Sequence, residues 1–292
     1  MVTIVRQPQT FYRRTASKNV VQWTIWLEED QGVYTIKTSH GQKGGKIIED
    51  AGVIIASGKA GRTPMEQAVL EFDSKVNKHR DQGYTFNTDG ININLAPVPM
   101  LAQPYAKHGH KITFPAIAQP KLDGVRCTAK MESDGSVSLL SRKGKEFQLL
   151  DQIRKAVIST GLPETFILDG ELYSDQIDFQ RVVGLVRKKT YKNQTDIDDM
   201  AKVKLNVFDA MDMANPDMPF IQRWKKAKEY VDKDTTGTLT MVPCYRVDND
   251  SQVNALLSKF LAAGDEGVMI RNIKSPYEQG KRSYNLQKLQ SY

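Results

Sequence analysis

The sequence predicts an α+β protein in two parts, and three observations carry that expectation. Short apolar segments of strand length interleave with helical stretches, without the strict strand–helix alternation of a parallel fold. A hairpin-like region with one amphipathic helix comes first, and a polar stretch ending in prolines separates it from the rest. The expected division is a small α+β domain over 1–90 and a larger domain of mixed or antiparallel sheets with flanking helices over 91–292.

In the first part, 20–27 and 33–36 are runs of β-branched and aromatic residues divided by an acidic turn, which predicts a hairpin. Gly41, Gly44 and Gly45 follow, then a strand over 52–56. Pro64 at a helix start, with Ala68, Val69, Phe72 and Val76 at helical spacing, predicts an amphipathic helix to about Arg80. The stretch 87–99 reads as the linker. In the second part the clearest strands are 137–140, 165–168, 203–208 and 268–270, and helices are expected over 150–159, 221–231 and 253–263.

Composition narrows the function classes. With 40% hydrophobic and 26% charged residues, the 292-residue chain reads as globular. No apolar run approaches the length of a bilayer span, so no membrane association is expected, and residues 1–6 lack a signal-peptide layout. Cys127 and Cys244 are too few for a disulfide framework or a Cys-rich zinc site, which makes a reducing, cytoplasmic compartment the expectation. The net charge is +7, with 12 basic against 10 acidic residues in 1–100 and 29 against 24 in 101–292. This excess is spread out, and a polyanionic partner and a solvated surface both fit it. The run Gly41-Gln42-Lys43-Gly44-Gly45-Lys46 has the wrong spacing for a P-loop and Ile47 where Ser or Thr is required, which excludes that reading.

Chemistry concentrates at Gln119-Pro120-Lys121-Leu122-Asp123-Gly124-Val125-Arg126, a strand ending in a tight turn. A lysine is a useful nucleophile only when its amine can lose a proton, and a lone Lys-x-Asp-Gly is too short to carry that role. Further motifs follow in order: Ser141-Arg142-Lys143-Gly144, Leu168-Asp169-Gly170-Glu171-Leu172, Val207-Phe208-Asp209, Glu266-Gly267-Val268-Met269-Ile270-Arg271, and the basic residues from Arg282 to Lys288. Each alone has a structural account: a hairpin turn at Asp169-Gly170, a core aromatic at Phe208, a solvated tail. Their joint order is the signal.

Over about residues 97 to 290 this set resembles the covalent nucleotidyltransferases, and Val98-Pro99-Met100-Leu101-Ala102 with Arg126 makes it similar to ATP-dependent DNA ligases of viral or phage type. The resemblance implies a nucleotidyltransferase (ATP-grasp-like) fold that seals nicked double-stranded DNA through a lysyl-AMP on Lys121; separately from the resemblance, a monomer is expected. It further implies Glu171 and Glu266 on Mg²⁺, and Glu171 also on the ribose. Lys288 would meet the α-phosphate, and Arg126 and Arg142 the ribose or the 5′-phosphate. Adenine would lie between Phe208 and Val268, with Gln119 and Leu122 beside the nucleotide. Carboxylates suit hard Mg²⁺, and nucleotidyl transfer is mostly positioning and charge neutralisation. A viral source would place the enzyme in the host cytoplasm.

Two departures stand out. Gln290 occupies the place of a second motif lysine, and Gln119 stands where many DNA ligases have glutamate. The sequence stops at Tyr292, directly after the final motif, so the C-terminal OB-fold of such ligases is expected to be absent. Residues 20–86 resemble a WGR-type domain through Trp23, the glycine stretch and the helix, although Trp-Gly-Arg itself is missing. If that domain binds DNA, Lys43, Lys46, Lys59 and Arg62 are its expected phosphate contacts. For the densest basic run, with Arg187, Lys188 and Lys189, a solvated loop and an edge of a DNA groove both fit. RNA ligation or capping chemistry, and a non-catalytic nucleic-acid-binding protein with a decayed pocket, remain as alternatives.

Overall fold

Alternating apolar residues drive the N-terminal part of the chain into a sheet. The computed structural model describes residues 1–15, 19–86 and 97–290, and the chain divides into units Met1–Ala96 and Pro97–Tyr292. In the first unit, β1 (Thr3–Arg14), β2 (Val20–Asp30), β3 (Val33–Gln42) and β4 (Ile47–Glu49) pair in that order, and β5 (Val53–Ile55) also pairs with β3. All these pairings are antiparallel.

The expected hairpin is β2–β3. Its two-residue turn has Gln31 at φ 51° and Gly32 at φ 80°, the left-handed pair that matches the twist of the strands. Trp23, Ile25 and Leu27 alternate inward on β2 and meet Phe72 and Val76 of α1 (Pro64–Asp81) in one core. The helix begins as its sequence predicts: Thr63 and Glu66 form a reciprocal capping box ahead of Pro64. The strand β1 is an addition to the sequence reading. It lies at the sheet edge, carries Pro8, shifts register twice and fully buries only Phe11, so it shows no clean alternation. Most of the expected linker, 87–96, lies outside the described residues.

The second unit contains β6 (Leu101–Pro104), α2 (Tyr105–His108), β7 (Ala116–Lys121), β8 (Val125–Met131), β9 (Val137–Ser141), α3 (Asp151–Ser159) and β10 (Phe166–Tyr173). It continues with α4 (Phe179–Val186), α5 (Gln194–Met200), β11 (Lys204–Asp212), α6 (Phe220–Val231), β12 (Leu239–Met241) and β13 (Tyr245–Val247). The last elements are α7 (Asp250–Ala262), β14 (Gly267–Arg271) and β15 (Arg282–Gln290). The predicted α+β class holds, and every strand and helix expected here is present within a few residues.

Two five-stranded sheets result, ordered β12-β11-β10-β8-β9 and β13-β7-β14-β15-β6. Both are mixed: β11–β12 and β15–β6 are parallel, and the other pairs antiparallel. Strand periodicity divides their faces. In the first sheet Leu168, Leu172, Leu205 and Val207 join Ile153, Leu185 and Ala227 of the helices in a large core. In the second, Ala116, Ala118, Val268 and Ile270 meet Val253 and Phe260 of α7. The other faces carry the polar residues that line the cleft described below.

Phe72 is 1% exposed and plugs the first unit's core. Phe72→Ala should destabilise that unit by about 3–5 kcal/mol, read as an earlier denaturant midpoint in tryptophan fluorescence; an unchanged midpoint would contradict this packing.

Candidate active site

Lys121 ends β7, the strand whose opposite face is anchored by Ala116 and Ala118. Its backbone carbonyl accepts from the Glu266 N–H at 2.8 Å, and Gly267 pairs with it across the sheet. This register sets the two side chains together, and the Lys121 ammonium donates to the Glu266 carboxylate. Gln290 donates to the other oxygen of Glu266, so the position where a second lysine is the family pattern holds a neutral donor. Gly124 is required by crowding: a Cβ there would lie 2.4 Å from the Leu172 carbonyl oxygen and 2.7 Å from Glu171 Cγ. The chain therefore crosses directly over β10, bringing Glu171 towards Lys121.

Between the sheets lies a cleft of about 260 Å³, near the lower limit of small-molecule pockets. Lys121, Gln119, Leu122, Arg126, Arg142, Glu171, Phe208, Glu266 and Lys288 all line it. Phe208 reaches it through a β-bulge: Asp169 pairs with Asp209 but Gly170 with Val207, so Phe208 is the extra residue, and its side chain is re-aimed into the cleft.

Val268 departs from expectation. It is fully buried among Ala118, Ile270 and Phe260. Adjacent strand residues face opposite ways, so Met269 supplies the aliphatic wall instead. Arg126 also differs in part. Its guanidinium grips Asp169 through Nε at 2.6 Å and Nη2 at 2.7 Å and donates to the Met100 carbonyl at 3.0 Å. Most of its hydrogen-bonding capacity is thus committed within the protein.

Behind the cleft is a buried charge lattice whose roles the sequence motifs did not reveal. Asp209, 0% exposed, accepts from Arg223 Nε at 2.9 Å, Arg271 Nη1 at 2.7 Å and the Ala210 N–H at 2.7 Å. Asp169, also 0% exposed, receives Arg126 and the Tyr277 hydroxyl, the latter at 2.6 Å. The guanidiniums of Arg126 and Arg271 lie 4.9 and 5.6 Å from the Phe208 ring centre. The available signal was Asp169, Asp209 and Arg271 standing inside the quoted motifs; Arg223 and Tyr277 had none.

Burial pushes the Glu171 carboxyl up from its ordinary 4.5 to about 8; Arg126 and Lys121 pull it down, while Asp169 and Glu266 raise it. Among the described residues no group of three or more His, Cys, Asp or Glu could form a metal cage. Glu171 and Glu266 on one cleft are nevertheless a donor set that suits Mg²⁺, which completes its shell with water and substrate phosphate. A cation would also offset the cost of ionising the desolvated Glu171.

The remaining expected nucleic-acid contacts lie elsewhere. Lys188 is half-buried and held by Asp196 at 2.7 Å, a structural ion pair, whereas Arg187 and Lys189 are exposed after α4. Lys43 and Lys46 flank the β3–β4 turn, and they, Lys59 and Arg62 are exposed.

Residues 99–290 match the family model described as ATP dependent DNA ligase domain. A DNA ligase of African swine fever virus is 29% identical over 234 residues, covering 78% of this chain and 53% of that protein. A DNA ligase of Enterobacteria phage T6 is 27% identical over 231 residues, covering 65% and 47%. The chain thus spans about half the length of these curated relatives. The fold is shared with the bacteriophage T7 ATP-dependent DNA ligase solved in complex with ATP, at TM-score 0.56 and 19% identity over 68% of this chain and 70% of that one.

Two measurements check this site. Glu171 favours its neutral form when folded, so its contribution is most favourable below the ordinary 4.5 and is lost as pH rises through about 8. Glu171→Gln cannot titrate, so its gain in Tm over the parent should grow from about pH 5 to about pH 9; a pH-independent difference contradicts the assignment. Asp209→Ala leaves Arg223 and Arg271 buried without their carboxylate and should cost about 3–5 kcal/mol in urea unfolding.

Proposed function

This chain belongs to the ATP-dependent DNA ligase family, and from that premise we propose that it seals nicked duplex DNA, with Lys121 as the residue that takes up AMP. The observation that carries this reading is the Lys121–Glu266 contact inside a cleft shared with Glu171, Phe208, Arg142 and Lys288. Loss of a proton to Glu266 frees the Lys121 lone pair. Nζ then attacks the α-phosphorus of ATP, forming the N–P bond as the P–O bond to pyrophosphate breaks. Arg142 and Lys288 balance phosphate charge, and Phe208 and Met269 bracket the base. When bound, Mg²⁺ supplies positive charge to the phosphate oxygens, and Glu171 and Glu266 are the carboxylates that would hold it.

Protonation of the phosphoramidate nitrogen makes lysine a good leaving group. AMP passes to the 5′-phosphate of a nick, and the neighbouring 3′-hydroxyl then displaces AMP and closes the strand. Positioning, rather than new covalent chemistry, supplies most of the rate.

The first unit is assigned a supporting role as a WGR-like DNA-binding domain over about 1–90, with Lys43, Lys46, Lys59 and Arg62 as backbone contacts; their exposure supports this. Arg187 and Lys189 are assigned to the edge of the DNA-binding surface, while Lys188 is left to its ion pair with Asp196. The protein is taken to act as a monomer in the cytoplasm, that of the host if the source is viral. No helix among the described residues is long and apolar enough to cross a membrane.

Lys121→Ala should abolish covalent labelling by α-labelled ATP; label persisting on another residue would overturn the assignment. Sealing assays on nicked DNA and nicked RNA, with ATP and GTP, separate this reading from RNA ligation and capping. Reversing the charge of Arg187 and Lys189 together should weaken nicked-duplex binding and reduce its salt slope by about 2, leaving self-adenylation intact.

A further inference from the structure

Strand register sets four polar residues in one row across β8, β10, β11 and β12. Glu171 pairs with Arg126 on one side and with Asn206 on the other, and Asn206 pairs in turn with Thr240. The next pair, Leu172 and Leu205, lies in the apolar core. Glu171 and Asn206 therefore share the opposite face, the one on which Glu171 lines the cleft. Side chains directly opposite each other on one face have Cβ atoms about 4.5–5.5 Å apart.

Neither member of that pair is satisfied. Asn206 Oδ1 accepts from the Thr240 hydroxyl at 2.6 Å, but Nδ2 is buried and meets no acceptor among the described residues, which is costly for a donor removed from water. On the Glu171 carboxylate act burial and the charges of Arg126, Lys121, Asp169 and Glu266, with no hydrogen bond among them. Arg126, its other neighbour in the row, is spent on Asp169 and the Met100 carbonyl. A donor and an acceptor without partners thus stand on adjacent strands. The Thr240 hydroxyl can donate or accept, whereas a carboxylate oxygen accepts, so the amide is satisfied at both ends only with Nδ2 towards Glu171.

We propose that Asn206 is a positioning residue for Glu171: in the nucleotide complex its Nδ2–H donates to one carboxylate oxygen and so holds the other towards the ribose. The inference rests on the adenylation reading above and on Glu171 meeting the ribose, as the family resemblance implies. Without this donor the Glu171 side chain, on a flexible stem, is free to turn away from the sugar.

The test compares ATP with 2′-deoxy-ATP and 3′-deoxy-ATP as donors for self-labelling of the full chain. The parent should prefer ATP over at least one of them by about tenfold or more in kcat/KM. Asn206→Leu, similar in size and without a donor, should cut that preference by about fivefold. Asn206→Asp, which sets an acceptor in the same shape, should cut it at least as far. A purely structural role would lower all three nucleotides together, so an unchanged ratio in both variants, or a parent that ignores the ribose hydroxyls, would overturn the proposal. If the parent takes no label from any of the three, the adenylation reading itself has failed. The contact is then still read in urea unfolding, where Asn206→Leu and Glu171→Ala should be non-additive, and strict additivity would overturn it.

Discussion

The second unit depends on two carboxylates being held in its interior. Asp169 and Asp209 are removed from water, which costs several kcal/mol per ion unless partners are close and nearly complete. Here they are supplied by Arg126, Arg223, Arg271 and the Tyr277 hydroxyl, drawn from both sheets and the segments beside them. Because Asp209 comes from β11 and Arg271 from β14, the ion pair between them also ties one sheet to the other at the back of the cleft. The cost of leaving any member unpaired is what keeps this junction in a single arrangement.

The cleft inherits its chemistry from that junction. Phe208 follows Val207 of the apolar core and precedes Asp209 of the lattice, and the bulge lets the ring turn into the cleft while both neighbours keep their places. Arg126 and Arg271 flank the ring while bonded elsewhere, so they shape a wall and need not be read as nucleotide ligands. Across the space, β7 and β14 are in register so that Lys121 and Glu266 meet, with Gln290 of β15 holding the other carboxylate oxygen. The Lys121 side chain and its carboxylate partner are thus fixed by backbone pairing rather than by flexible loops.

Local patterning was readable. The β2–β3 hairpin, the Thr63–Glu66 cap and the helices of the second unit announce themselves through periodicity and end signals a few residues apart. The order of the motifs around Lys121 sufficed to point to the family that the comparison then supported. β1 was not legible, because an edge strand with Pro8 and two register shifts lacks the alternation that marks a half-buried strand. Arg223 and Tyr277 were not legible either; nothing nearby in sequence marks a residue whose partners lie 14 and 108 positions away.

The sequence by itself determined the residue types that gather in the cleft and the strands that carry them, since periodicity and turn chemistry act over neighbouring residues. Tertiary structure decided which way those residues face and what they remain free to bind. It moved the aliphatic wall from Val268 to Met269, engaged Arg126 with Asp169 and Lys188 with Asp196, and committed the Gln119 amide to Phe208, Cys244 and Arg271. Each of these outcomes depends on a burial face or an ion partner contributed by another element, which a linear pattern does not encode.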